Sequence, residues 1–150
     1  MARNISGFLS QISLVASNTY PVPITITQFA DDVDPFDFPE LTIGDTKMTV
    51  NGELLFWESA NPIPFNLAVI ADSDDDALLS ILLEANRASA GKTVAYDEIT
   101  IVGYYPDGNI ITLYNGYLVK GSPGTGVQSA GRFKSKTYSF VFQSKVGGIW

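Results

Sequence analysis

Two short segments of this chain carry residue types that chemistry uses. Gly91-Lys92-Thr93 has the ending of a phosphate-binding loop, and Asp72-Ser73-Asp74-Asp75-Asp76 has the beginning of a calcium loop. Neither pattern completes. Asn86 stands where a phosphate loop needs its first glycine, and the tripeptide closes a predicted helix, whose dipole has the wrong sign for phosphate there. In the acidic segment Ala77 takes the glycine position and Leu83 that of the bidentate glutamate. Gly121–Gly126 is glycine-rich without a dinucleotide fingerprint and reads as a loop.

The chain has no His and no Cys. That excludes Ser–His and Cys–His nucleophiles, thiol redox chemistry, zinc fingers and nearly every transition-metal site. Sixteen acids leave a glycosidase-type carboxylate pair formally open, but no pair stands apart from its loop or helix-cap setting. Trp57, Trp150 and Tyr104-Tyr105 offer a carbohydrate platform, the only support for a sugar-binding module, and core packing accounts for the same residues. The sequence thus assigns no catalytic residue, cofactor or metal ligand, and the expectation is a non-enzymatic protein.

Composition points to association. The 150 residues are 45% apolar and only 17% charged, against roughly 25% charged in an average soluble domain. Mean hydropathy is slightly positive, at +0.13. One domain over residues 1–150 is expected, large enough to bury a core without staples. The net charge of −7 is unevenly spread. Residues 1–110 hold all sixteen acids and four bases, net −12, whereas residues 111–150 hold five bases and no acid, net +5. Complementary patches of this kind register one copy against the next. No signal-peptide pattern is visible at Met1–Phe8, and no apolar run nears the ~20 residues that span a bilayer.

The elements that would position these residues are mostly strands. Alternation predicts strands at Ile5–Val15 and Ile24–Phe29, with Tyr20-Pro21-Val22-Pro23 as a break. Prolines and like charges make residues 30–47 a long loop. Met48–Trp57 reads as one strand bent at Gly52, in preference to a hairpin turning at Asn51-Gly52. Further strands are expected at Phe65–Ile70, Ile99–Tyr105, Ile110–Val119 and Arg132–Gln143, with a flexible tail at 144–150. The single helix, about residues 74–90, has Ser73 as N-cap, a Leu78/Ile81/Leu82/Ala85 stripe and Gly91 as terminating glycine.

In order and spacing, a set of segments resembles the major tail tube proteins of tailed bacteriophages. They include Asp34-Pro35-Phe36-Asp37, Ile43-Gly44-Asp45, Met48–Leu54, Asn61-Pro62-Ile63-Pro64 and Ser73-Asp74-Asp75-Asp76. Glu84-Ala85-Asn86-Arg87, Tyr105-Pro106-Asp107-Gly108, Ser122-Pro123-Gly124 and Ser129–Phe140 continue the series, which runs from about Ile5 to Phe142. The resemblance implies a mainly β sandwich or barrel with one flanking helix. It further implies hexameric rings stacked head-to-tail into a tube, often in a contractile tail, conducting double-stranded DNA without binding it. The implied partners are further copies and the tail sheath, baseplate and tail terminator proteins, in a virion built in the host bacterial cytoplasm, with no membrane anchor. A baseplate or tail-completion ring of the same fold is the alternative.

Site expectations follow. A negative lumen would take Thr49, Asn51, Glu53, Glu98 and Thr100 from the polar strand faces. Asp34, Phe36, Phe38 and Leu41 of the long loop would need cover from a neighbour. Arg132, Lys134 and Lys136, sharing one strand face with no local acid, would meet an adjacent acidic surface, and Trp150 would anchor the tail.

Overall fold

The computed structural model describes residues 10–31, 33–129 and 131–147. In chain order these form β1 (Gln11–Ala16), β2 (Tyr20–Ile26), β3 (Phe36–Asp37), β4 (Gly44–Met48), β5 (Leu54–Glu58), β6 (Ile63–Val69), α1 (Asp74–Asn86), β7 (Ile99–Tyr104), β8 (Ile110–Lys120) and β9 (Lys136–Gly147). Seven strands make one antiparallel sheet in the order β2-β1-β7-β8-β9-β6-β3, and β4 and β5 pair only with each other. The fold is mainly β with one helix, as expected. Past β2 the chain reaches β6 through a single antiparallel bridge, Phe29 to Val69, so the sheet curls without closing into a barrel among the described residues.

Alternation builds the core. Ile12, Leu14 and Ala16 of β1, Ile99 and Ile101 of β7, Phe65, Leu67 and Val69 of β6, and Tyr138, Phe140 and Phe142 of β9 all point inward and are buried. Burying each of the Leu, Ile, Val and Phe side chains among them contributes roughly 1.5–3 kcal/mol. Gly116 of β8 makes room for the ring of Phe142 beside it, where any Cβ would collide.

Several elements depart from expectation, each for a physical reason. Residues 20–23 are not a break: Pro21 and Pro23 lie within β2, an edge strand, where a missing N–H costs no ladder bond. The helix ends at Asn86, with Arg87 as C-cap, and Gly91 lies beyond it in a separate turn with φ +72°. Its buried face carries Asp75, Asp76, Leu79 and Leu82, while Ile81 of the predicted stripe is 55% exposed. The helix is rotated because its first-turn acids have work inside. Asp75 Oδ2 accepts from Thr27 and Gln28 N–H at 2.8 Å each, fastening α1 to the end of β2. Asp76 accepts from the Asp72 N–H and from the Tyr138 hydroxyl, both at 3.0 Å.

Residues 30–47 are not one loop, since β3 zips onto β6 and β4 begins at Gly44. Of the expected tail at 144–150, residues 148–150 lie outside the described residues, and the rest is strand. Residues 144–147 continue β9 in register with β8, Leu113 opposite Lys145 and Ile111 opposite Gly147. Ile5–Leu9 of the first predicted strand, and Trp150, lie outside the described residues.

Candidate functional site

Met48–Trp57 is a hairpin rather than a bent strand. Gly44 pairs with Glu58, Thr46 with Phe56 and Met48 with Leu54 on one face; Asp45 with Trp57 and Lys47 with Leu55 make the other. Asn51-Gly52 is the turn after all: Gly52, at φ +86°, donates its N–H to Thr49 O at 3.0 Å, and the Thr49 N–H returns a bond to Glu53 O at 2.8 Å. Gly44 matters differently. A Cβ there would stand 2.6 Å from the Phe56 ring, so only glycine lets that ring lie across the partner strand.

The hairpin's main contacts are internal. Met48, Leu54, Leu55, Phe56 and Trp57 are therefore 48–63% exposed, on both faces, with Ile43 and Val50 more open still. Surface apolar residues scattered singly need no explanation, but a contiguous set marks an interaction surface. At the hairpin's root lies an apolar groove of about 430 Å³, lined by Phe38, Pro39, Leu41, Ile63, Pro64, Tyr105, Ile111 and Lys145.

The predicted loop residues divide. Phe36 is half-buried against Phe29, Phe65 and Tyr105, ring centres 5.6–6.1 Å apart, and Phe38 rests on Phe65 at 4.9 Å. Their cover comes from their own domain, because β3 carries them onto the aromatic core. Leu41 remains 42% exposed in the groove wall, and Asp34 is exposed.

The three cations do not share a face. Only Lys136 lies in β9, where it is buried and pairs with Asp76 at 3.3 Å, also donating to Ser80 Oγ. Arg132 bonds both oxygens of Asp31, at 3.0 and 3.3 Å. Lys134 is exposed, its backbone N–H fixed to Gly126 O at 2.7 Å. The expectation of no local acid fails because acids remote in sequence are brought near by β6–β9 pairing and by α1.

The predicted lumen residues also separate. Thr49, Asn51 and Glu53 sit at the hairpin turn, whereas Glu98 is exposed just before β7 and Thr100 is on β7's outward face. That face was not singled out from sequence. Its outward positions Ser13, Val15, Thr100, Val102, Thr112, Tyr114, Tyr117, Thr137, Ser139 and Val141 are uncharged, and exposed Lys120, opposite Ser139 at the end of β8, places one cation at the margin of this face. The signal was present in the alternation, but it becomes visible only once strand order sets these strands side by side.

Polar groups near the helix are structural. Buried Asp97 accepts from the Asn18 and Thr19 N–H groups at 2.7 and 2.8 Å, from the Thr19 hydroxyl, and from Asn86 Nδ2 at 2.8 Å. Burial pushes its carboxyl up, and these four donors together outweigh that and hold it below the ordinary value. Glu84, hydrogen-bonded by Arg87 and Lys92, is lowered to about 2. Lys92 also caps the helix carbonyls of Glu84 and Arg87, which is the role of this lysine outside any phosphate loop. Among the described residues no group of three or more acids could hold a metal ion.

The sequence profile of the family described as "Tail fiber protein gp32" matches residues 3–146. The chain belongs to that family. No curated protein matches it. Solved structures of similar fold include a chain from the PVC sheath/tube terminator of an extracellular contractile injection system, in the extended state. That match has TM-score 0.57 and 10% identity, covering 99% of both chains. The anti-feeding prophage baseplate matches with TM-score 0.54 and 12% identity over 98% of this chain and 97% of that one. The anti-feeding prophage tube-terminating cap matches with TM-score 0.53 and 8% identity over 99% and 93%. The chain is thus tail-related, and its fold is one used in contractile injection machines.

Proposed function

We propose that the chain is a structural subunit of a phage tail that associates with copies of itself into rings, six per ring, stacked as a tube through which DNA passes. The observation that carries this reading is the β4–β5 hairpin, whose two faces hold apolar side chains that the monomer does not cover. An arm of this kind is stable in water only when another molecule covers it. Membership in a tail-protein family makes the covering molecule a tail component.

The outward sheet face, uncharged along its strand centres with Lys120 only at its margin, suits a conduit lining, because a polyanion sliding past it meets no cluster of cations that would hold it. In this reading Thr100 lines the lumen and Glu98 its rim, while Thr49, Asn51 and Glu53 travel with the hairpin to an inter-subunit contact. Lys134, exposed, and Asp34 remain candidates for that contact, and Trp150 is assigned to it as a terminal anchor. The role is scaffolding without catalysis.

A tail-completion or baseplate ring is the second reading, supported by the similar folds of a terminator, a baseplate component and a cap. Copy number separates the two. Quantitative protein analysis of purified virions should find many tens of copies for a tube subunit and about one ring's worth for a completion protein.

A further inference from the structure

We infer that the groove at the hairpin's root is the receptor for the hairpin tip of a second copy of this chain. The inference rests on the self-assembly reading above and names the surface that receives the arm. Three observations carry it. The groove, about 430 Å³, is walled by apolar side chains, Phe38, Leu41, Ile63 and Ile111 among them, and its one charged liner is Lys145. The hairpin tip has the complementary character: exposed Met48, Val50 and Leu54, with the acid Glu53 between the last two. Across the whole hairpin three acids, Asp45, Glu53 and Glu58, face a single base, Lys47. Among the described residues Lys145 has no carboxylate within ion-pair distance, and its ammonium donates to Gly147 O at 3.3 Å.

The third observation is geometric and fixes the occupant. Leu41 precedes β4 by three residues and Ile63 follows β5 by five, so the groove adjoins the root of the hairpin. From Gly44 to Met48 the ladder runs outward for about 13 Å at ~3.3 Å per residue, and the turn carries Val50 beyond it. A tip held that far from its own root reaches its own groove only if the β4–β5 pairing breaks. A second copy's tip reaches it with both ladders intact. The contact is heterologous, tip to root, so it repeats from copy to copy and closes a ring or extends a filament. Leu54 and Val50 enter the apolar walls, and Glu53 meets Lys145.

The absence of cysteine makes the test clean. Val50→Cys and Leu41→Cys chains, each substituted at an exposed site, are mixed and oxidised. A heterodimer is expected, and the double variant should give a ladder of covalent multimers. An intramolecular disulfide is excluded by distance, since bridged Cα atoms lie within about 7 Å. Lys145→Glu and Glu53→Lys should each weaken association roughly tenfold, and the two combined in one chain should restore it. Multimers seen by light scattering without a Val50–Leu41 heterodimer, or with Val50 homodimers in its place, overturn this contact and leave self-assembly standing. A chain that stays at monomer mass with no cross-link overturns both.

Discussion

Asp76 of α1 ties the helix to β9 and to the turn that precedes it. Its oxygens take the Asp72 N–H, the Tyr138 hydroxyl and the Lys136 ammonium, which is 8% exposed. Removing the carboxylate strands a buried cation, so Asp76→Ala should cost about 3–5 kcal/mol of unfolding free energy in urea titration. Asp97 gives a pH dependence whose sign follows from its environment. Its folded pKa lies below the unfolded value of ~3.9, so it stabilises the fold above that pH. That contribution is lost as pH falls from about 4 through the lowered folded value. Urea midpoints measured from pH 6 to pH 2 should fall most steeply below pH 4, and Asp97→Asn should flatten part of that slope. Neither role was legible in the sequence. Asp76 stands there in an incomplete calcium-loop segment at a helix cap, and only the fold brings Tyr138 and Lys136, about sixty residues away, to its oxygens.

Among the elements, those set by local pattern were legible and those set by tertiary pairing were not. Period-two alternation located the buried rings of Tyr138, Phe140 and Phe142, and Ser73 does cap α1 by accepting from the Asp76 N–H at 3.1 Å. Strand limits in β9 and the chain's reversal at Asn51-Gly52 depended on partners the sequence does not display. The reversal is hidden in the sequence because Met48, Leu54 and Phe56 keep a period-two apolar spacing straight through the turn. Since its contacts are internal, shortening it should leave the sheet intact. Replacing residues 46–56 by a tight turn should shift Tm by only a few degrees while abolishing multimers, measured by calorimetry and light scattering. Gly44→Val tests the same element more finely. Its side chain would strike the Phe56 ring and the Trp57 carbonyl, so association should weaken at nearly unchanged sheet stability.

For the whole molecule, charge and apolar burial have different tasks. The chain is acidic overall, and the basic C-terminal third is partly neutralised within the monomer by Asp31 and Asp76. Salt should therefore affect the rate and register of association more than its strength, which apolar burial supplies. The composition leads to an expectation of association, and the fold shows which apolar side chains, those of the β4–β5 hairpin, the monomer leaves exposed.

The most direct measurement is the mass in solution of the wild-type chain beside a Leu54→Ser, Phe56→Ser, Trp57→Ser variant, by light scattering and electron microscopy at matched concentration. Wild-type protein should form discrete rings or tubes, and the triple variant should remain a folded monomer near 16.2 kDa with its core stability preserved. A wild-type chain that stays monomeric at every concentration, or a triple variant that assembles as wild type does, would contradict the account.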